Sequence, residues 1–314
     1  MALNEYVITL LSEIGIYAIA ALGLNVTWGY AGQVNLGQAA FIGIGAMTSA
    51  ILTLHYGAPF WLALLLSWII SMVIGLLLGL VSIRLRYDFL AISTIGFNFI
   101  VVGVFQYHDI FGGTVGITGI PRPIIFGFKL SGLSYTILVY LMFGLASILV
   151  WWIRRSWIGK AFEAINEDEI AAQSLGINVK KYKVLAFAVG TGLAGLSGSL
   201  LAHFKTSILY EDFAFSKSIE IISMSALGGM DSILGALVGS AIVKLLPEII
   251  RPLMEIRLAF YSILIMLVLI FMPEGILGRR SVLSRQLNSM VINIIRHACK
   301  SKIEGIKLIG KDPT

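Results

Sequence analysis

Long apolar runs recur along this chain at short intervals. Six of them approach or exceed the roughly 20 residues of helix that a membrane crossing requires. Backbone groups cannot face lipid unpaired, so each run is expected to be helical. The six runs are 6–28, 36–54, 60–83, 89–107, 135–153 and 184–204. The sequence therefore predicts an all-α, polytopic transmembrane helix bundle.

The composition supports a membrane protein. Only 13% of the residues are charged, against roughly 25% in soluble domains. That leaves too little polar surface to coat a water-soluble core of this size. The 33 glycines are typical of a bundle in which small residues let helices approach closely.

The later part of the chain is harder to divide into spans. A seventh apolar run, 258–272, is shorter than the first six. Before it lie 219–230 and 233–250, which Asp231 and Ser232 separate. This pair is either two short spans or one re-entrant hairpin. We predict about nine spans, or about seven if the pair is re-entrant.

Basic residues cluster after the third run, between the fifth and sixth runs, and in the tail. Short basic loops stay in the cytoplasm, so we expect the N-terminus outside and the C-terminus inside an inner (plasma) membrane. Residues 1–278 would form the membrane domain and residues 279–314 a cytoplasmic tail. The basic residues are Arg84, Arg86, Arg154, Arg155, Lys160, Lys180, Lys181, Lys183, Arg279, Arg280, Arg285, Arg296, Lys300, Lys302, Lys307 and Lys311.

The tail carries apolar residues at helical spacing from Leu287 through Ile295, with arginines off that stripe. This pattern is typical of a basic amphipathic helix on an anionic lipid surface. A helix that contacts a partner subunit is the alternative.

Several patterns argue against an enzyme. The run 305–311 has the spacing of a phosphate-binding loop, but Asp312 stands where Ser or Thr would hold magnesium. We therefore expect no ATP and no other cofactor in this chain. A single cysteine, Cys299, and scattered histidines give no metal-ligand pattern, and we find no catalytic constellation. The net charge of +6 does not indicate nucleic-acid binding, because most of the basic residues lie in the loops and tail predicted on the cytoplasmic side.

One long cytoplasmic stretch, 157–182, contains a helix signal of its own. Glu167, Asp168 and Glu169 precede an Ala-rich turn, and acidic residues favour a helix N-terminus. Gly176 then provides a C-terminal stop. The segment is either a capped connector or a docking helix for a soluble partner.

This stretch also carries a family resemblance. Residues 169–176, EIAAQSLG, resemble the EAA…G segment with which ATP-binding-cassette importer permeases contact their ATPases. The blocks 159–187, 23–46, 87–96 and 228–236 are similar to branched-chain amino acid permeases of the LivM type. The resemblance covers about residues 20–278. It implies that the ATPase-coupling residues are Glu167, Glu169, Ala171, Ala172, Leu175 and Gly176.

The resemblance implies a heteromeric importer. Its partners would be a second related permease, two cytoplasmic ATPases that bind ATP and magnesium, and an extracytoplasmic solute-binding protein. The resemblance implies that the substrates are branched-chain or related hydrophobic amino acids. Urea or short amides are alternative substrates, because related permeases carry them. A stand-alone secondary transporter would also explain the spans, although not the docking-helix pattern.

Polar residues inside spans usually face the bundle interior or a water-filled cavity. Asn25, Gln33, Asn35, Gln38 and Asn98 are therefore candidates for the translocation path. Hydrogen bonding between helices is the competing interpretation. Two acidic residues, Glu13 and Glu220, also fall in apolar runs. Each is either paired within the bundle or close to its outer end.

Overall fold

The computed structural model describes residues 2–82, 87–125, 128–249, 266 and 275–278. Ten α-helices lie within these ranges. They are α1 (Ala2–Leu24), α2 (Gln38–His55), α3 (Phe60–Ser82), α4 (Tyr87–Tyr107), α5 (Leu133–Arg155), α6 (Trp157–Glu167), α7 (Glu169–Ser174), α8 (Val179–Lys205), α9 (Phe215–Gly228) and α10 (Ile233–Ile249).

All six predicted long runs are helices that are long and apolar enough to cross a membrane. The first is α1 extended by a π-helical turn, Asn25–Tyr30, and the other five are α2, α3, α4, α5 and α8. The prediction of a polytopic membrane helix bundle is confirmed. The predicted run 258–272, apart from Met266, and the tail from 279 lie outside the described residues.

Helix α8 occupies the centre of the bundle. Of its most apolar stretch 83% is buried, against 28% for α3 and for α4. Small residues allow this, because a Cβ atom on Gly198 would collide with the carbonyl oxygen of Ile42, and one on Gly45 with that of Gly195. Helices α2 and α8 therefore pack backbone to backbone, as the glycine content predicts.

The bundle has two ends, named here after Arg154 and His203. At the Arg154 end, the guanidinium of Arg154 lies over the ring of Tyr30, which closes the first span. At the His203 end, the imidazole of His203 contacts Ser49 Oγ through Nε2 (2.9 Å) and the Pro121 carbonyl through Nδ1 (2.7 Å). Helix α1 runs from the His203 end to the Arg154 end, and α8 runs the opposite way.

Two small antiparallel sheets lie in the connections around α4, α5 and α8. Strand β1 (Ile117–Thr118) pairs with β4 (Ser207–Ile208), and β2 (Ile124–Ile125) pairs with β3 (Phe128–Lys129). Single-turn 3-10 helices cover Asp109–Phe111 and Tyr210–Phe213. The β1–β4 pair ties the long α4–α5 connection to the end of α8.

Helices α9 and α10 form a tight helical pair, which we name the hairpin. Its turn, residues 229–232, contains the predicted break at Asp231 and Ser232. Arg154 Nη1 donates to the Asp231 carbonyl at 3.0 Å, which places the turn at the Arg154 end. With 14 residues, α9 is about 21 Å long, shorter than a bilayer core.

Candidate functional site

The segment from Trp157 to Asn178 folds as two short helices, and we name it the α6–α7 loop. Ser156 begins it as an N-cap, since its Oγ accepts from the Ile158 amide at 3.2 Å. Helix α6 is amphipathic, and its buried face includes Phe162 and Ile165. The ring of Phe162 meets that of Tyr182 edge to face. This apolar face holds α6 against the bundle.

Helix α7 is capped at both ends. Asp168 is extended, with φ −156°, and its Oδ1 accepts from the amides of Ile170 (2.8 Å) and Ala171 (3.0 Å). This is the N-cap interaction that the acidic run predicts. Gly176 has φ +82°, a left-handed conformation that favours glycine at a helix end. The predicted helix and its stop are therefore present.

The surface of α7 is apolar as well as polar. Ile170 is 79% exposed and Leu175 is 81% exposed, although neither lies in an apolar run. Ala172 is buried, while Glu167, Ala171 and Gly176 are exposed. Exposed apolar patches mark protein contact surfaces, so Ile170 and Leu175 are candidates for such a contact. Ile170 is an exposed residue of this surface that the sequence did not single out.

The α6–α7 loop is fastened to the adjoining spans by polar contacts. The carboxylate of Glu169 lies 2.5 Å from the ammonium of Lys183, near the start of α8. Asn166 Nδ2 donates to the Gly29 carbonyl at 3.1 Å, in the π-helical turn that ends the first span. The loop is thus joined to both the first span and α8.

The first two spans are separated by a non-helical stretch, residues 31–37, in which buried and half-buried residues alternate. Gln33 Nε2 donates to the Lys183 carbonyl at 2.8 Å. Asn35 Nδ2 donates to Gln38 Oε1 at 2.7 Å, and Asn35 Oδ1 accepts from the Gly37 amide. Gln38 Nε2 donates to the Ala20 carbonyl at 3.2 Å. The Gly37 amide, which lies outside the helices, is thereby satisfied, while Gln33 ties this stretch to α8 and Gln38 joins α2 to α1.

Asn25 joins the first span to the hairpin. Its Nδ2 donates to the carbonyl of Ser232 at 3.0 Å and more weakly to that of Gly229 at 3.5 Å. Its Oδ1 accepts from Ser225 Oγ. One amide therefore binds the end of α9 and the turn that follows, which fixes the hairpin against α1.

All five candidate path residues are at most 1% exposed. The fifth of them is Asn98. Its Nδ2 donates to the Phe213 carbonyl at 3.2 Å. The carbonyl oxygens Gln33 Oε1 and Asn98 Oδ1 are buried and have no hydrogen-bond partner among the residues that the structure describes. A buried acceptor without a donor costs free energy, so each of these oxygens can favourably accept a hydrogen bond from a water molecule or a ligand.

Four charged side chains meet where α1, α9 and α10 cross. The ammonium of Lys244 lies 3.1 Å from Glu13 Oε2 and 3.0 Å from Glu220 Oε1. The ammonium of Lys217 lies 2.5 Å from Glu220 Oε2. Both lysines lie over the ring of Tyr17, at 4.1 and 5.3 Å. We name these five residues the charged cluster. Of the two possibilities for Glu13 and Glu220, pairing within the bundle is the one found.

Comparison with known proteins gives one family over most of the chain. The family model described as "Branched-chain amino acid transport system / permease component" matches residues 6–273. The chain belongs to this permease family.

Individual relatives agree with that assignment. The high-affinity branched-chain amino acid transport system permease protein LivM of Salmonella typhimurium is 34% identical over 287 residues, 83% of this chain and 68% of the relative. A probable LivM of Methanocaldococcus jannaschii is 23% identical over 89% of this chain and 95% of its own length. LivH of Escherichia coli is 26% identical over 85% and 92%. No solved structure matches.

In this permease, the buried polar residues of the spans were predictable from the sequence, whereas their contacts were not. Glu13 and Glu220 were recognised in the sequence, but their partners Lys217 and Lys244 were not. Lys217 lies three residues before Glu220, a spacing that places both on one helix face, so that pair was detectable. Lys244 has no acidic neighbour at helical spacing, since its partners are 24 and more residues away in the sequence.

Proposed function

We propose that this chain is the membrane-spanning permease subunit of an ATP-binding-cassette importer, and that it moves branched-chain or related hydrophobic amino acids across the inner membrane. The chain performs no chemistry itself in this proposal. ATP and magnesium are bound by partner ATPase subunits, and the chain converts their motion into opening and closing of a path.

The observation that carries the proposal is the construction of α7. It is a six-residue helix capped at both ends, with Ile170 and Leu175 facing outward. A capped, exposed helix that presents apolar side chains between two spans suits a surface that receives a soluble partner. The ATPase-coupling residues proposed on α7 and directly beside it are Glu167, Glu169, Ala171, Ala172, Leu175 and Gly176.

The sidedness of the proposal follows from the two ends. The Arg154 end carries Arg154, Arg155 and Lys183 together with the α6–α7 loop, so the positive-inside rule makes it cytoplasmic. The His203 end is then extracytoplasmic, with the N-terminus outside. Counting the two helices of the hairpin and the run 258–272 gives about nine spans and a C-terminus inside.

The partners in this proposal are a second related permease, two cytoplasmic ATPases and an extracytoplasmic solute-binding protein. Relatives named LivM and LivH both resemble this chain, which supports pairing of two related permeases. The ATPases would meet α7, and the binding protein would meet the connections at the His203 end.

The translocation path is proposed to run beside Asn25, Gln33, Asn35, Gln38 and Asn98. Support comes from the side-chain oxygens of Gln33 and Asn98, which have no partner within the described part of the chain and can accept from a substrate ammonium or from water. Gln33→Ala removes one such acceptor and should lower uptake without loss of assembly. Uptake at the wild-type rate in assembled Gln33→Ala importer would argue that the side chain only ties 31–37 to α8.

Branched-chain amino acids are proposed as substrates on the names of the relatives. Urea and short amides remain the alternative within the same transporter class, and labelled leucine and urea in parallel uptake assays separate them. A stand-alone secondary transporter is the second function. A secondary transporter would have similar spans, but it would not require an exposed docking helix.

Affinity purification of the tagged chain from gently solubilised native membranes tests the proposal. We expect soluble subunits with nucleotide-binding motifs to co-purify, and Leu175→Asp to release them. Val115→Asp is the matched control, because Val115 is an equally exposed aliphatic residue, 75% accessible, in the connection at the His203 end. A chain that purifies alone and moves solute in liposomes without ATP would be a stand-alone carrier.

A further inference from the structure

Arg154, in the last turn of α5, touches three other parts of the chain at once. Its Nη1 donates to the Asp231 carbonyl in the turn of the hairpin, at 3.0 Å. Its Nε lies 3.8 Å from Glu163 Oε1 on α6. Its guanidinium carbon lies 5.2 Å from the centre of the Tyr30 ring. One side chain therefore joins the α6–α7 loop, the end of the first span and the hairpin.

The two helices of the hairpin pack closely where they meet the turn. A Cβ atom on Gly228 would collide with the carbonyl oxygen of Gly235, and one on Gly239 with that of Met224. The backbones of α9 and α10 are therefore in contact beside the turn, and the ion pair between Lys244 and Glu220 joins the two helices farther along. Such close packing transmits a displacement instead of absorbing it.

The far part of the hairpin carries the charged cluster. Lys217 and Glu220 lie in the first two turns of α9, and Lys244 lies towards the end of α10. Lys244 binds Glu13 of α1. A shift of the hairpin turn against α1 would therefore be carried to the contacts between Lys244 and Glu13.

We propose that Arg154 is the positioning residue through which the α6–α7 loop moves the hairpin. This inference rests on the proposed function, in which an ATPase displaces the loop. When α6 shifts, Glu163 draws the guanidinium with it, and the guanidinium takes the Asp231 carbonyl and the hairpin turn along. The ring of Tyr30 holds the end of the first span against the same group.

Arginine is suited to this position for a chemical reason. Its planar guanidinium has five N–H donors in a fixed fork and also stacks on aromatic rings. It can bind a carbonyl, a carboxylate and a ring in three directions at once. A lysine ammonium is a compact charge on a flexible stem, so Arg154→Lys would keep the charge but lose the fixed geometry.

The test uses the complete importer, with its ATPases, its second permease and its binding protein, in proteoliposomes. The measured quantity is the number of leucine molecules imported per ATP hydrolysed. For Arg154→Met we expect an assembled complex with near wild-type ATP hydrolysis. Its transport ratio should fall by at least about tenfold, a size typical of energetic coupling between sites. Arg154→Lys should give an intermediate ratio.

The neighbouring arginine provides a matched control. The guanidinium of Arg155 lies 4.4 Å from the ring centre of Trp151, a residue of its own helix. Arg155→Met removes the same charge from the same helix end and should leave the transport ratio unchanged. Glu163→Gln tests the contact with α6 alone, and its ratio should fall in the same direction as that of Arg154→Met.

Three results would overturn the inference. The first is a wild-type transport ratio in Arg154→Met. The second is loss of the ATPases from that variant, and the third is a parallel fall of hydrolysis and transport, since either would mean that Arg154 only holds the α6–α7 loop in place. The wild-type complex separates the two proposals, because failure of ATP-driven leucine import there would refute the proposed function itself.

Discussion

The ammonium of Lys244 on α10 lies 3.1 Å from the carboxylate of Glu13 on α1, and this ion pair joins the first and tenth helices of the bundle. Lys244 also binds Glu220 at 3.0 Å and is only 13% exposed. Removing it would leave two carboxylates facing each other with one fewer counter-charge. Removing one partner of a buried ion pair is costly because the remaining charge is left uncompensated.

We therefore expect Lys244→Met to lower the free energy of unfolding by about 3 kcal/mol, at the low end for buried pairs because the carboxylates are partly exposed. Thermal unfolding in detergent measures it. Adding Glu13→Gln should recover part of the loss. Lys205→Met is the control, since Lys205 is 32% exposed in its pair with Asp212 and that pair should be worth about 1 kcal/mol or less. Equal losses in both lysine variants would contradict this account of the cluster.

Capping by Asp168 yields a second prediction. Asp168→Ala removes the acceptor for the amides of Ile170 and Ala171, a loss of about 1 kcal/mol that a six-residue helix cannot easily absorb. Hydrogen exchange at these two amides should accelerate, and fewer ATPase subunits should be retained. Asp168→Asn keeps a capping oxygen and should behave like the wild type. Unchanged exchange in the alanine variant would mean that the cap is dispensable.

The contact between α2 and α8 makes a third prediction. In Gly198→Ala the new methyl group meets the Ile42 carbonyl, and overpacking of this kind costs about 1–3 kcal/mol. Folded yield and melting temperature should both fall. Gly103→Ala is the matched control, because a Cβ atom there meets nothing within 4 Å. If the two alanine variants have the same melting temperature, α2 and α8 are farther apart than in the structure.

The proposed sidedness can be tested by labelling. The chain has one cysteine, Cys299, so Cys299→Ser gives a background for single additions. Val115→Cys should react with a membrane-impermeant maleimide in intact cells, whereas Gln173→Cys on α7 should react only after permeabilisation. Both side chains lie at exposed positions. The reverse pattern would place the α6–α7 loop outside and exclude an ATPase contact there.

The helices of this permease were predictable because their signal is local. Apolar runs of spanning length located the six long helices, and Asp231 with Ser232 located the turn of the hairpin. The capped helix α7 was also predictable, since Asp168 and Gly176 act on backbone only two to four residues away. Each of these features depends on neighbouring residues alone.

The polar contacts were not predictable, because they join residues far apart in the chain. Asn25 was recognised as a buried polar residue, but its bond to Ser232 spans 207 positions. Lys244 was missed because its carboxylates come from two other helices. The position of Arg154 between α6 and the hairpin likewise depends on how α5 packs, and no local pattern encodes that.

Reconstitution of the importer tests the central claim most directly. The purified chain, its second permease and the ATPases are placed in liposomes with ATP at the ATPase side and leucine-loaded binding protein on the other. The account predicts leucine accumulation that requires ATP and the binding protein and that Leu175→Asp abolishes. Accumulation by this chain alone, driven by an ion gradient and indifferent to ATP, would contradict it.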